Sequence, residues 1–378
     1  MLITRLSEID KIYKLENEFF KKNKVMPINL STWASSNEFS NYMNSFIELP
    51  GMFDAVEYRY SYNIGNCITN KVLEKIGVYN EAAGLIFTQN NTISIVNIVN
   101  FVKKLNKKRI GIINPAYFTI KQSNFAFDLI CEEIAIEYNS EYEFKLPSID
   151  NLIKYDVIWI TSPVFSVGQY FNNDDIKTIK NLIQHGVLVI TDESYSIPGN
   201  ELVRDIGISE NFIAIYSPHK SININSLKFS IILCHNRHID LFEHWLDVFS
   251  GNLSFSNICA INHFISNNFE LCVDKFEEYI ALKKEKILNL LLHHPEVYYC
   301  KHFTGGLSTL FFPAIRPSVM QSEEFLRTLM FKTCVSIIPG YLNGFDHSMG
   351  FCFRLNLACV NVNYLHGLKA LLVHLKKY

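Results

Sequence analysis

Four residue types with reactive side chains stand in a fixed order in the middle of the chain. Asp192-Glu193-Ser194-Tyr195 closes one apolar run, and Ser217-Pro218-His219-Lys220 closes the next. A lysine held away from water loses its proton more easily and then serves as a nucleophile toward carbonyls or as a general acid/base. A carboxylate 28 positions upstream can pair with a cationic nitrogen and hold it protonated. A phenol adds a hydrogen bond to any oxygen that gathers charge. Taken singly, each has an ordinary explanation: lysines sit at surfaces, aspartates cap turns and tyrosines fill cores. The chemistry is in their order, and the order has to be imposed by a fold.

Five short apolar runs supply it: RIGIINP from Arg109, DVIWITSP from Asp156, VLVITDES from Val187, FIAIYSP from Phe212 and FSIILCH from Phe229. Each is continuously apolar, as strands covered on both faces are. The first four are separated by stretches long enough for a helix, such as NNDDIKTIKNLIQHG, where Ile176, Ile179, Leu182 and Ile183 share one helical face. The fold class that follows is α/β, with a mostly parallel, doubly wound sheet. The gap before the fifth run is too short for a crossover helix, so that run is expected to be antiparallel. In open α/β sheets ligands bind beyond the carboxyl ends of the strands, and Asn114-Pro115-Ala116-Tyr117, Ser162-Pro163, Asp192 to Tyr195 and Ser217 to Lys220 all fall there. Ile95, Val99 and Val102 mark a further helix that Asn90, Asn91 or Thr92 would cap, leaving amides for an anion.

The ordered set, together with Pro339-Gly340-Tyr341 and Phe353-Arg354-Leu355-Asn356-Leu357-Ala358, resembles the aspartate-aminotransferase superfamily: class I/II, pyridoxal-phosphate-dependent, fold type I. The resemblance runs from roughly Ile28 to the end. It implies pyridoxal 5′-phosphate as cofactor, with Lys220 as its Schiff-base lysine and proton shuttle. It implies that Asp192 pairs with the pyridine nitrogen, Tyr195 bonds the phenolic oxygen and Tyr117 stacks on the ring. The phosphate would be held by Asn91, Thr92, Ser217 and Lys228, and by Tyr60 reaching in from the partner subunit of a homodimer. Arg354 would clamp the substrate α-carboxylate.

The pattern departs from the family at four places. Phe165 stands where an asparagine assists the tyrosine, Lys228 where an arginine is usual, Asn90 where the phosphate turn has a glycine, and Trp33 where the amino-terminal segment has a glycine beside the substrate. Lysine keeps the charge without the bidentate fork.

The resemblance therefore implies an aminotransferase moving an amino group between an amino acid and a 2-oxo acid, in a specialised biosynthetic pathway. Two rivals remain open: a cyclase or lyase acting at the side chain, as in capreomycidine synthase, and a non-catalytic protein that kept the fold for binding. A nicotinamide dehydrogenase is disfavoured because no G-x-G-x-x-G follows a strand.

Composition narrows the field further. The 378 residues are 48% hydrophobic and 19% charged, with 29 Phe, 19 Tyr and 3 Trp, which excludes a disordered chain. A net charge of −2 gives no field for nucleic acid. No stretch reaches the ~18 apolar residues of a membrane span, and the charged first dozen residues are unlike a secretory signal. Nine cysteines with no two-residue spacing read as thiols of a reducing cytoplasm, with no metal site. The expected organisation is an amino-terminal segment (1–50) packing on a small domain, a large cofactor-binding domain (51–265) and a small α+β domain (266–378).

Overall fold

The computed structural model describes residues 2–47, 66–78, 81–225, 227–251, 253–316 and 323–378. Tyr60 and the expected boundary at residue 50 lie outside the described residues.

Seven strands form the central sheet: β1 (Ala83–Thr88), β2 (Ile110–Asn114), β3 (Cys131–Ala135), β4 (Val157–Thr161), β5 (Leu188–Asp192), β6 (Phe212–Tyr216) and β7 (Ser230–His235). Their order across the sheet is β1-β7-β6-β5-β4-β2-β3. Strand β7 is antiparallel to both neighbours, and all other pairs are parallel. The α/β class and the antiparallel fifth run are thus as expected; β1 and β3 are additional strands at the two edges.

The unbroken apolar runs have a direct physical cause. Val157, Trp159, Leu188, Ile190, Ile213 and Ile215 enter one core, while Ile158, Ile160, Val189, Phe212 and Ala214 enter another. Successive side chains point to opposite faces of a strand, so a sheet with a core on each side needs apolar residues at every position. The helix Asn91–Lys104 supplies part of one cover. The Asn90 side chain accepts the Ile93 N–H at 3.1 Å, and Ile95, Ile98, Val99 and Val102 are buried against the sheet. Helix Asn173–Gln184 starts at a capping box in which Asn172 and Asp175 satisfy each other's amides.

Beyond the sheet, the helical stretch expected after Asn257 runs as Phe255–His263 and Phe269–Leu291, joined by a wide π turn at Phe264–Asn268. Strands β8 (Leu307–Phe312) and β9 (Phe351–Asn356) then pair antiparallel, with Thr309 opposite Arg354. Ile28–Asn29 pair in parallel with Val335–Ser336. The chain begins with a helix, Leu2–Asn23, that the sequence pattern had not marked; its Leu15 and Phe19 form a small core with Met330. Among the described residues no helix is long and apolar enough to cross a membrane.

Candidate active site

The carboxyl ends of β4, β5 and β6 open onto a cavity of about 650 Å³. Its walls include Trp33, Asn91, Thr92, Tyr117, Asp192, Tyr195, Lys220 and Lys228, eight of the residues singled out from sequence. Strand β5 ends at Asp192, which is buried. Ser194 donates to Oδ1 through both its N–H (3.2 Å) and its hydroxyl (2.6 Å), and Asn91 Nδ2 donates to Oδ2 at 3.3 Å. Three donors fix the orientation of the carboxylate.

Strand β6 ends at Tyr216; Ser217 follows it, and the one-turn helix Pro218–Ser221 carries Lys220 into the cavity. Burial pushes the Lys220 ammonium below its ordinary pKa; the Asp192 charge opposes the shift and Lys228 reinforces it. Beside it, burial and the Lys220 charge push His219 down to about 3, so its imidazole is neutral. His219 packs on Phe229 at 4.9 Å, and its Nδ1 has no partner among the described residues.

One side of the cavity is the start of helix Asn91–Lys104. The first amides of a helix have no intrahelical partner and attract anions. Thr92 is exposed there, and Lys228 is exposed at the cavity edge. Ser217 stands apart: it is fully buried, its hydroxyl donates to Ser230 Oγ at 2.9 Å, and it is not part of the cavity wall.

The opposite side is aromatic. Phe165 lies 6.3 Å from Tyr117 and 6.2 Å from Trp33, and Trp33 stacks on Tyr195 at 5.7 Å. Burial raises the Tyr195 phenol pKa, a shift the Arg354 charge opposes. Arg354, on β9, does not line the cavity. It is 1% exposed, its Cζ lies 3.3 Å from the Trp33 ring centroid, and Nη2 donates to the Ser31 carbonyl. Ser31 Oγ donates back to the Arg354 carbonyl at 2.7 Å. Burial lowers the guanidinium pKa to about 10.

Sequence reasoning missed four wall residues. Thr161 closes β4 with its Oγ1 buried and, among the described residues, unpartnered, and Asn225 donates to the Trp33 carbonyl at 3.0 Å. Ile93 and Ala34 complete the set. The position of Thr161, at a strand end next to Ser162-Pro163, was the available signal for it.

The architecture is matched by kynurenine aminotransferase from Pyrococcus horikoshii, solved with PMP, at a TM-score of 0.76 and 15% identity over 96% of this chain and 94% of that one. The chain has the class I/II aminotransferase fold. Cystalysin from Treponema denticola, which contains a pyridoxal 5′-phosphate cofactor, shares this aminotransferase fold at a TM-score of 0.71 and 16% identity, over 93% and 91% of the two chains. An aspartate aminotransferase from Rhodobacter sphaeroides 2.4.1 does so at 0.71 and 17%, over 93% and 92%. No protein-family model and no curated protein matches the sequence.

Proposed function

We propose that the protein is a pyridoxal-phosphate-dependent aminotransferase that moves an amino group between an α-amino acid and a 2-oxo acid, as a cytoplasmic homodimer in a specialised biosynthetic pathway. The observation that carries this reading is the convergence of Lys220, Asp192 and the amides at Asn91 and Thr92 on one cavity. The donor set suits the cofactor. A buried lysine amine, a buried carboxylate and an anion-seeking helix start answer its aldehyde, its ring nitrogen and its phosphate. Thr161 Oγ1, Asn91 Oδ1 and His219 Nδ1, all on cavity-lining residues, are buried with no partner among the described residues, which suits a polar occupant. When bound, pyridoxal phosphate supplies a conjugated ring that accepts the electrons released as the substrate Cα–H bond breaks.

The chain's own residues do the rest. Lys220 Nζ, whose pKa burial lowers, takes the proton from the substrate Cα and holds it for return. Asp192, fixed by Ser194 and Asn91, keeps the ring nitrogen protonated. Tyr195 and Tyr117 bound the ring's place, and Phe165 excludes water on the side where the family carries a polar residue. Lys228 adds charge beside the helix start. We further propose the division into 1–50, 51–265 and 266–378. Support comes from the cavity, whose walls are drawn from Trp33 and Ala34 as well as from the sheet, and from β9, which holds Arg354 behind Trp33.

The test is direct. Protein loaded with the cofactor should absorb as a lysine adduct, and borohydride reduction should fix the label on Lys220 by peptide mass spectrometry. Single turnover with a responsive amino acid should give one equivalent of 2-oxo acid and pyridoxamine phosphate. Label on another lysine refutes the assignment. A product that keeps its amino group, with the cofactor unchanged, replaces aminotransfer with cyclase or lyase chemistry.

A further inference from the structure

Arg354 is a buried cation with neutral company. Among the described residues no carboxylate lies within ion-pair distance of it, its Nη2 is spent on the Ser31 carbonyl, and its Nε–H has no partner. Such a charge is costly unless something anionic comes to it. Its contact toward the cavity is the face of Trp33, and Trp33 lines the cavity where Arg354 does not. We propose that Trp33 is a displaceable plug, whose indole covers Arg354 until a ligand carboxylate takes its place. The inference rests on the aminotransferase reading only for the identity of that ligand as an amino or 2-oxo acid.

The segment around Trp33 determines how the plug can move. Asn356 Nδ2 donates to the carbonyls of Thr32 (3.0 Å) and Ala34 (3.3 Å), and Asn225 Nδ2 donates to that of Trp33 (3.0 Å). Ser35 Oγ is tied to the Asn223 carbonyl and Ser36 Oγ to that of Ala358. The backbone is therefore pinned on both sides of Trp33, and the indole moves by rotating its side chain. It has room to do so, because Trp33 is 36% exposed. A carboxylate outcompetes the indole because a charge-assisted pair with a guanidinium out of water is stronger than a cation–π contact. A neutral isostere offers no such exchange, so the plug makes entry to this end of the cavity conditional on a carboxylate.

The experiment uses the holoenzyme with 3-phenylpropionate and 3-phenylpropionamide as probes, read by calorimetry and by tryptophan emission. Trp159 is buried in the sheet core and Trp245 lies on the helix Ile239–Phe249, so a change at the cavity reports Trp33. Emission should shift with the carboxylate and not with the amide, and Trp33→Phe should lose the shift. Trp33→Ala should bind the carboxylate about ten- to thirty-fold tighter, the affinity withheld by a desolvated cation–π contact, while the amide changes less than about threefold. Trp33→Phe, which keeps a smaller ring, should lie between. The plug is overturned if saturating carboxylate leaves wild-type emission unchanged, if Trp33→Ala and Trp33→Phe bind it no tighter, or if acid and amide gain equally. A chain that takes up no pyridoxal phosphate refutes the proposed function instead, and the carboxylate titration still decides on the plug.

Discussion

Replacing Arg354 by methionine separates a structural arginine from one reserved for a ligand. Burial holds the guanidinium pKa at about 10 against an ordinary 12.5, a difference worth roughly 3 kcal/mol against the charged form. Arg354→Met removes that burden. It also orphans the Ser31 carbonyl, costing about 1–3 kcal/mol. The stacking on Trp33 is replaced by a thioether–indole contact of about 0.3–1.5 kcal/mol. These terms nearly cancel, so stability should stay within about 1.5 kcal/mol of wild type. An arginine in a buried ion pair would behave differently, since its removal costs about 3–5 kcal/mol. Ligand binding should suffer where folding does not: an amino acid that loses its charged partner in a buried site should bind about 2–5 kcal/mol more weakly. Urea unfolding at fixed protomer concentration gives the first quantity, and titration of a carboxylate ligand gives the second. A loss of 3 kcal/mol or more in stability, with carboxylate affinity unchanged, would refute the reasoning.

Three other outcomes follow from the geometry. Lys228→Ala should weaken pyridoxal phosphate binding by about 1.5 kcal/mol, the low end for a charge-assisted bond because the ammonium is exposed; equilibrium dialysis measures it, and unchanged affinity would show that Lys228 serves elsewhere. Burial pushes Glu193 up to about 8 and Glu201 up to about 7, so both stay protonated in the fold where the unfolded chain ionises near 4.5. Their contribution is whole below about pH 4.5 and is lost as the pH climbs to 7–8. Unfolding curves between pH 5 and 8.5 should therefore fall less steeply for Glu193→Gln than for wild type, by up to about 1.4 kcal/mol per pH unit. Gly168 has a φ of +81°, and an added Cβ would sit 2.6 Å from the Thr304 carbonyl oxygen and 2.8 Å from that of Leu307. Gly168→Ala should cost more than about 1 kcal/mol in the same unfolding assay.

The central strands were readable because a sheet covered on both faces writes itself as continuous apolar runs. The edges were not. Strand β3 is Cys-Glu-Glu-Ile-Ala, half exposed, with Glu133 accepting from Asn114 Nδ2 at 2.6 Å. Charged residues are what an edge strand carries, and they erase the apolar signal. Strand β1 pairs only with the antiparallel β7, and its apolar stretch is short. In the site, Asp192, Tyr195 and Lys220 were legible because local order along β5 and β6 fixes which strand end each occupies. The contact of Trp33 with Arg354 joins residues far apart in sequence and has no local signature. Ser217 differs: its place in the motif suggested the cavity, whereas just past the end of β6 its hydroxyl bonds Ser230 on the neighbouring β7.

The clasp between Ser31 and Arg354 has a bearing on how the protein is made. The wall bearing Trp33 is held by groups on residues 354 to 358, which emerge some 320 positions later. At about 5–20 residues per second, the ribosome takes roughly 15–65 s to bridge that interval. Strands β4 to β6, with Asp192 and Lys220, can assemble well before then, so the nascent chain holds its reactive amine in an unwalled pocket while Trp33 waits for its anchor. Chains stalled near residue 350 should accordingly let aldehyde reagents too bulky for the walled cavity modify Lys220 faster than they do in the finished protein.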